Sequence, residues 1–141
     1  MPQTSTSPDV SNLEIPMDQW TSPFWAAAAQ GRLVFPQCAD CGHFRWPSGP
    51  FCPRCQSQAL NWQDGGEGRI YSFSTVRTAA SEAAPAVLHL PALIEFPKAG
   101  GVRLLAALVD AMPEAVEIGA AVEPMWLPAA NASVPVFRLK D

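Results

Sequence analysis

The chain has 141 residues, 48% of them hydrophobic and 16% charged, with nine Lys and Arg against thirteen Asp and Glu for a net charge of −4. That length and apolar content support one packed domain, or two very small ones sharing a core, and exclude wholesale disorder. An acidic chain without a basic cluster lacks the footprint of a phosphate-backbone binder, and no apolar run reaches the ~18 residues of a membrane span. Fifteen prolines break helices and confine central strands, so short strands and abundant turns are expected.

Residues 1–22 are rich in Ser, Thr and Pro and read as a flexible N-terminal arm. Residues Met1–Val10 carry neither the positive nor the apolar region of a secretory leader. With thiols expected to stay reduced, the expected location is the cytoplasm. A short helix follows over residues 23–31. Thr21-Ser22-Pro23 supplies a hydroxyl cap and a Pro at the first helical position, and Gly31 stands where a C-terminal cap belongs. Two turns are too few to stand alone. Phe24 and Trp25 must therefore dock, either on the chain's own barrel or on a partner subunit.

Residues 32–64 hold all four cysteines, in the two pairs Cys38-Ala39-Asp40-Cys41 and Cys52-Pro53-Arg54-Cys55, separated by ten residues. A C-x-x-C turn brings two sulfurs to one side of the backbone, and two such turns face to face make a tetrahedron of thiolates, the arrangement of closed structural zinc sites. Gly42 suits a position with φ > 0, and Pro53 stiffens the second turn. Two disulfides would need an oxidising compartment, and a redox C-x-x-C comes singly beside a βαβ pattern. Iron takes the same four thiolates, although the divalent affinity order favours zinc. Such a site has no open coordination position, so Zn²⁺ here is expected to be structural. Arg32–Gln37 reads as the strand entering the first knuckle and His43–Trp46 as its return strand. His43 reads as a surface or packing residue, and Leu60 and Trp62 lead out of the ribbon at period two.

The breaker cluster Asp64-Gly65-Gly66-Glu67-Gly68 marks a boundary, and residues 65–141 read as β structure. Arg69–Arg77 is a long alternating strand, Thr78–Pro91 an Ala-rich loop, and Ala92–Phe96 a second strand ended by Pro97. After the Lys98–Gly101 hairpin turn, Val102–Asp110 is a third strand whose apolar run suits burial. Met112–Glu117 makes a helical turn, and Ala121–Leu127 and Val134–Leu139 are the last two strands. The fold class is mainly β, with a short N-terminal helix, a rubredoxin-like zinc ribbon and a five-stranded barrel of OB type.

Outside the knuckles there is no cysteine, and the histidines are His43 and His89 alone. No nucleophile elbow, phosphate-cradling loop or H-E-x-x-H motif occurs, so no catalytic residue is assigned.

Phe24-Trp25, Gly31-Arg32-Leu33, the four cysteines with Gly42, Trp46-Pro47, Leu60-x-Trp62 and Gly66-x-Gly68-x-Ile70-Tyr71-Ser72 resemble one family over about Phe24 to Leu127. Leu104–Asp110 and Ile118-Gly119-x-x-Val122 resemble its later strands. It is the family of small acyl-CoA-associated proteins with a rubredoxin-like zinc ribbon and an OB-fold, often encoded beside thiolases. The resemblance implies zinc on Cys38, Cys41, Cys52 and Cys55, and a non-catalytic accessory subunit that binds or channels an acyl-CoA thioester. The implied partner is a thiolase-like enzyme, an aldolase or a hydratase. Where members carry Pro-Pro-Arg before the second knuckle, this chain has Trp46-Pro47-Ser48-Gly49-Pro50. No CoA-contacting residue is therefore carried over. The readings set against this one are a nucleic-acid-binding OB protein, with Tyr71, Phe73, Phe96 or Trp126 stacking bases, and an independent CoA-thioester enzyme. The charge balance predicts negligible binding to single-stranded DNA or RNA at physiological salt. Fluorescence anisotropy with a labelled oligonucleotide checks this, and a tight, salt-sensitive isotherm is the contrary result.

Overall fold

The hydroxyl that the sequence offers as a cap for the first regular element does not cap it. In the computed structural model, which describes residues 3–141, helix α1 spans Ser22–Ala28 and Thr21 makes no side-chain cap bond to it. Asp18 caps instead the turn that leads into the helix. Its Oδ1 accepts the N–H groups of Trp20 and Thr21 at 2.8 and 2.9 Å, while Thr21 Oγ1 accepts the Asp18 N–H at 3.1 Å, a reciprocal pair of the capping-box kind. At the far end Gly31 has φ 73°. The Gly31 N–H donates to Ala28 O and the Arg32 N–H to Ala27 O, the Schellman closure for which glycine is suited.

Strands β1 (Val34–Cys38) and β2 (Leu60–Asp64) form a two-stranded antiparallel sheet, registered from Val34↔Asp64 to Cys38↔Leu60. The expected return strand His43–Trp46 is reduced to a single bridge, Gln37↔Phe44, plus the Arg45 N–H on Pro36 O at 3.0 Å. Pro47 has no N–H with which to continue a ladder. The period-two segment at Leu60 and Trp62 becomes the full-length partner of β1 instead.

The remaining strands are β3 (Gly68–Phe73), β4 (Val76–Arg77), β5 (Leu88–Phe96), β6 (Val102–Leu108), β7 (Ala121–Pro128) and β8 (Ser133–Leu139). Their order is β3-β7-β8-β6-β5, and β5 pairs back with β3 to close the ring. The β6–β8 pairing is parallel and the others antiparallel. This is the closed five-stranded OB-type barrel, with β4 continuing the β3 edge along β5.

Two boundaries and one burial pattern differ from the sequence reading. The long strand Arg69–Arg77 is two strands, β3 and β4. A bulge at Tyr71, between Ile70↔Ile94 and Ser72↔Leu93, changes the phase, so that Ile70 is buried and Phe73 packs on the core. Leu88–Pro91, read as loop, belongs to β5, whose nine residues alternate between buried and half-buried. In an antiparallel ladder a residue's N–H and C=O face the same neighbour. Pro91 O accepts the Ser74 N–H, so its missing donor faces the break between β3 and β4, where no ladder bond is lost. In β6, Leu104 and Leu108 are buried but Leu105 is 70% exposed on the outer face. The 3₁₀ turn Pro113–Ala115 lies within the predicted helical turn.

The described part of the segment expected to be a flexible arm is fastened to the barrel. Buried Ser5 donates its N–H to Ala111 O and accepts from Asp110 N–H, and its Oγ accepts from Ala111 N–H; Thr6 N–H donates to Leu88 O. Farther along, Asn131 brackets Ile15, accepting its N–H and donating to its carbonyl, each at 2.8 Å. These barrel groups lie at strand ends and in loops, where free donors and acceptors need partners, and a short polar segment supplies them. Met1 and Pro2 of that expected arm lie outside the described residues. Among the described residues no helix is long and apolar enough to cross a membrane.

The ribbon, α1 and the barrel share one aromatic cluster. Phe35 on β1 is fully buried, with its ring centroid 4.8 Å from Phe96 on β5 and 5.3 Å from Trp46; Trp46 is 4.9 Å from Phe24 on α1. The glycines of the breaker cluster make room for it. A Cβ on Gly65 would stand 2.6 Å from Phe35, and one on Gly68 would stand 2.7 Å from Ile94. Phe35→Ala is expected to lower the unfolding free energy by about 3–5 kcal/mol, read from the urea midpoint at unchanged slope.

Candidate metal centre

The two knuckles are built alike. In the first, Cys38 N–H donates to His43 O and Gly42 N–H to Cys38 O; in the second, Cys52 N–H donates to Ser57 O and Gln56 N–H to Cys52 O. The residue after each second cysteine takes φ > 0, Gly42 at 80° and Gln56 at 64°. The first was legible because glycine stands there. Gln56 was not, although its place one residue after Cys55 repeats that of Gly42 after Cys41. Gln37 Nε2 donates to Gly42 O, and Ser57 Oγ donates to Asp40 Oδ2, joining the second knuckle to the first.

All four predicted ligands converge. The sulfurs of Cys38, Cys41, Cys52 and Cys55 lie within 4.8 Å of one another, with Cys38 Sγ 3.5 Å from Cys55 Sγ and Cys41 Sγ 3.6 Å from Cys52 Sγ. Zinc–sulfur bonds of about 2.3 Å in a tetrahedron put sulfurs about 3.8 Å apart, so the set fits a four-thiolate cation and leaves no open position. Cys38 and Cys52 are buried, Cys41 and Cys55 exposed. The imidazole of His43 is not part of the set; this residue contributes its carbonyl to the knuckle.

Electrostatics divide the four thiols. The Cys41 N–H is the largest influence that draws the Cys38 thiol down to about 6. Burial raises Cys52, but the N–H groups of Cys55 and Arg54 outweigh it and leave this thiol below its ordinary value. The Ser57 N–H favours ionised Cys55, yet the Cys38 sulfur, burial and the remaining sulfurs push it up to about 12. Cys41 also ends above its ordinary value, the His43 N–H being outweighed by burial and the neighbouring sulfurs. Four thiolates this close repel unless a cation lies among them.

A second feature lies where α1, the ribbon and the barrel meet. It is an apolar groove of about 390 Å³, lined by Ile15, Trp25, Trp46, Leu104, Leu105 and Pro135 among others. Of the aromatic pair that needed a dock, Phe24 is buried against Phe35 and Trp46 of its own chain, whereas half-buried Trp25 faces the groove.

Fold and site together define a class, a four-cysteine ribbon joined to an OB barrel. Residues 25–61 match the ChsH2 rubredoxin-like zinc ribbon domain and residues 63–127 the ChsH2 C-terminal OB-fold domain. The chain belongs to the ChsH2 (DUF35) family. It is 38% identical over 120 residues to a probable enoyl-CoA hydratase alpha subunit of Thermomonospora curvata, a match covering 82% of this chain and 36% of that protein. The chain thus spans little more than a third of that relative. It is 32% identical over 93 residues to a DUF35 domain-containing scaffold protein of Methanothermobacter thermautotrophicus, covering 64% of this chain and 68% of the other. Among solved structures it resembles a chain of the Ltp2-ChsH2(DUF35) aldolase, with TM-score 0.76 and 32% identity, covering 89% of this chain and 98% of that one.

One zinc ion per chain is expected by elemental analysis of protein purified without chelators. Cys38→Ser and Cys55→Ser are expected to lose it and to lower the melting temperature, because metal binding is coupled to folding. Loading must deprotonate Cys41 and Cys55, whose thiols sit above their ordinary values. Protons are therefore released on binding, and metal affinity is expected to fall as pH falls, read by chelator competition at pH 8 and pH 6, each a chosen assay condition at about those values.

Proposed function

We propose that this chain is a non-catalytic accessory subunit that holds or channels an acyl-CoA thioester for a partner enzyme of thiolase-like, aldolase or hydratase type. The observation that carries this reading is the 32% identity, over 98% of its length, to a chain of the Ltp2-ChsH2(DUF35) aldolase. Both the hydratase alpha subunit and the scaffold protein among the relatives agree with it. The four-thiolate set is closed and serves structure. The described residues outside it supply no further cluster of metal-binding side chains. In this reading the chemistry on the thioester belongs to the partner.

Half-buried Trp25 and exposed Leu105 form an apolar surface on which a partner can anchor, since aromatic and aliphatic side chains in a partly desolvated groove are the usual interface anchors. The exposed loop Thr78–Val87 lies on the barrel, ahead of β5, as a second candidate contact. The nucleic-acid reading gains no support from the surface charge. Four of the nine basic residues, Arg32, Arg103, Arg138 and Lys140, are each paired with a carboxylate, which leaves no basic stripe to track a phosphate backbone.

Co-expression with an acyl-CoA enzyme encoded beside this chain is expected to give one gel-filtration peak and a turnover that depends on the accessory chain. Leu105→Asp is expected to weaken the complex tenfold or more, while the melting temperature of the isolated chain stays within about 3 °C because Leu105 is exposed. Elution of the enzyme alone, with turnover indifferent to this chain, is the result that removes the proposal. Turnover of acyl-CoA by the isolated chain would put an independent enzyme in its place.

A further inference from the structure

Arg45 is buried to 4% exposure, unusual for a side chain that remains charged at every accessible pH. Its main chain is tied to the first knuckle's strand by the N–H bond to Pro36 O. Its side chain reaches the second knuckle, where Nη1 donates to Ser57 O at 3.0 Å, the same carbonyl that accepts the Cys52 N–H at 2.9 Å. Arg45 thus ties the strand that enters the first cysteine turn, through its main chain, to the second turn, through its guanidinium. Nε and Nη2 are sealed from solvent without a hydrogen-bond partner, and none of the ion pairs among the described residues includes Arg45. Asp40, the carboxylate of the first knuckle, is engaged by Ser57 Oγ. The cleft of about 460 Å³ beside Arg45 offers these two sealed nitrogens no solvent contact through which an anion could reach them.

A buried charge needs compensation, or it is strongly destabilising. The ribbon's carboxylates, Asp40 and Asp64, are engaged by Ser57 and Arg32, and the remaining source of negative charge is the four thiolates of Cys38, Cys41, Cys52 and Cys55. On a divalent ion they leave a net charge of about −2. We infer that Arg45 is the counter-charge of the metal centre, a positioning residue whose fixed positive charge, held at the second knuckle by the Ser57 carbonyl, offsets the net negative charge of the loaded four-cysteine set and so strengthens metal binding. The inference rests on the four-thiolate metal reading. The same charge predicts a redox effect when iron replaces zinc. The ferrous site is one charge more negative than the ferric site, so Arg45 favours the reduced form, and its loss lowers the potential.

The test compares Arg45→Gln, which removes the charge, with Arg45→Lys, which keeps it, and with Arg54→Gln, which removes an exposed charge from the second knuckle. Zinc affinity is read by chelator competition and the potential by titration of the iron-substituted protein. Arg45→Gln is expected to lose metal affinity roughly 10- to 100-fold, as removal of outer-shell partners does, and to lower the iron potential. Arg45→Lys is expected to stay within about threefold of the parent, and Arg54→Gln to change little, because solvent screens it. If Arg45→Gln does not fold, Arg45→Met carries the same comparison with an apolar stem. Unchanged affinity and potential in the neutral variants overturn the inference. So does an equal loss in Arg45→Lys, which would assign the effect to guanidinium shape, or in Arg54→Gln, which would assign it to net charge. A parent chain that binds neither zinc nor iron removes the metal reading itself and is recognised before any variant is compared.

Discussion

The structure depends on one packing junction, the ring of Phe35. It leaves β1 of the ribbon, is fully buried, and touches Trp46 from the inter-knuckle loop and Phe96 from the barrel at once. Phe96 continues the contact to Phe137 on β8, and Trp46 continues it to Phe24 on α1. A two-stranded sheet and a seven-residue helix are each too small to fold alone. Joined through these rings they share the barrel's core. Aromatic rings suit the task, because each buries a large area and meets its neighbours edge to face or tilted.

The cysteine set answers a different weakness of the same region. The ribbon offers little regular structure and few buried apolar side chains beyond Phe35, Val34 and the two buried cysteines. In such a segment a metal held by the four cysteines would close the loops. The two knuckles repeat one hydrogen-bond scheme around the sulfurs, and the backbone donors that lower Cys38 and Cys52 prepare two of the four ligands for a cation. The same closure leaves no site for substrate at the ion, consistent with the proposed division of labour between this chain and an enzyme partner.

The groove beside α1 follows from both constraints. Phe24 turns inward to the aromatic junction, and its neighbour Trp25 is left on the outer side, next to Leu105 on the barrel's outer face. The bonds that hold the N-terminal segment to the barrel bring Ile15 to the rim of the same groove. An apolar surface assembled from three separate parts of the chain exists only while all three are docked.

The amino-acid sequence by itself determined the four cysteines that converge in the candidate metal centre, the ribbon-to-barrel order, the glycine boundary and most strand positions. These are local signals: C-x-x-C spacing, period-two alternation, and glycines whose missing Cβ is the point. It also pointed to Gly31 and Gly42 as left-handed positions, because no other residue adopts φ > 0 so readily. Tertiary structure alone decided what depends on distant partners. The N-terminal segment is polar and looked free, but Ala111, Leu88 and Asn131, about a hundred residues away, supply its hydrogen bonds. Pro91 looked like a loop residue until the break between β3 and β4 left no ladder bond for it to lose. Arg45 carries no motif at all; its burial and its bond to Ser57 O become visible only in the folded chain. The direction of Trp25 belongs to the same class, since it arises from contacts between segments that sequence spacing does not relate.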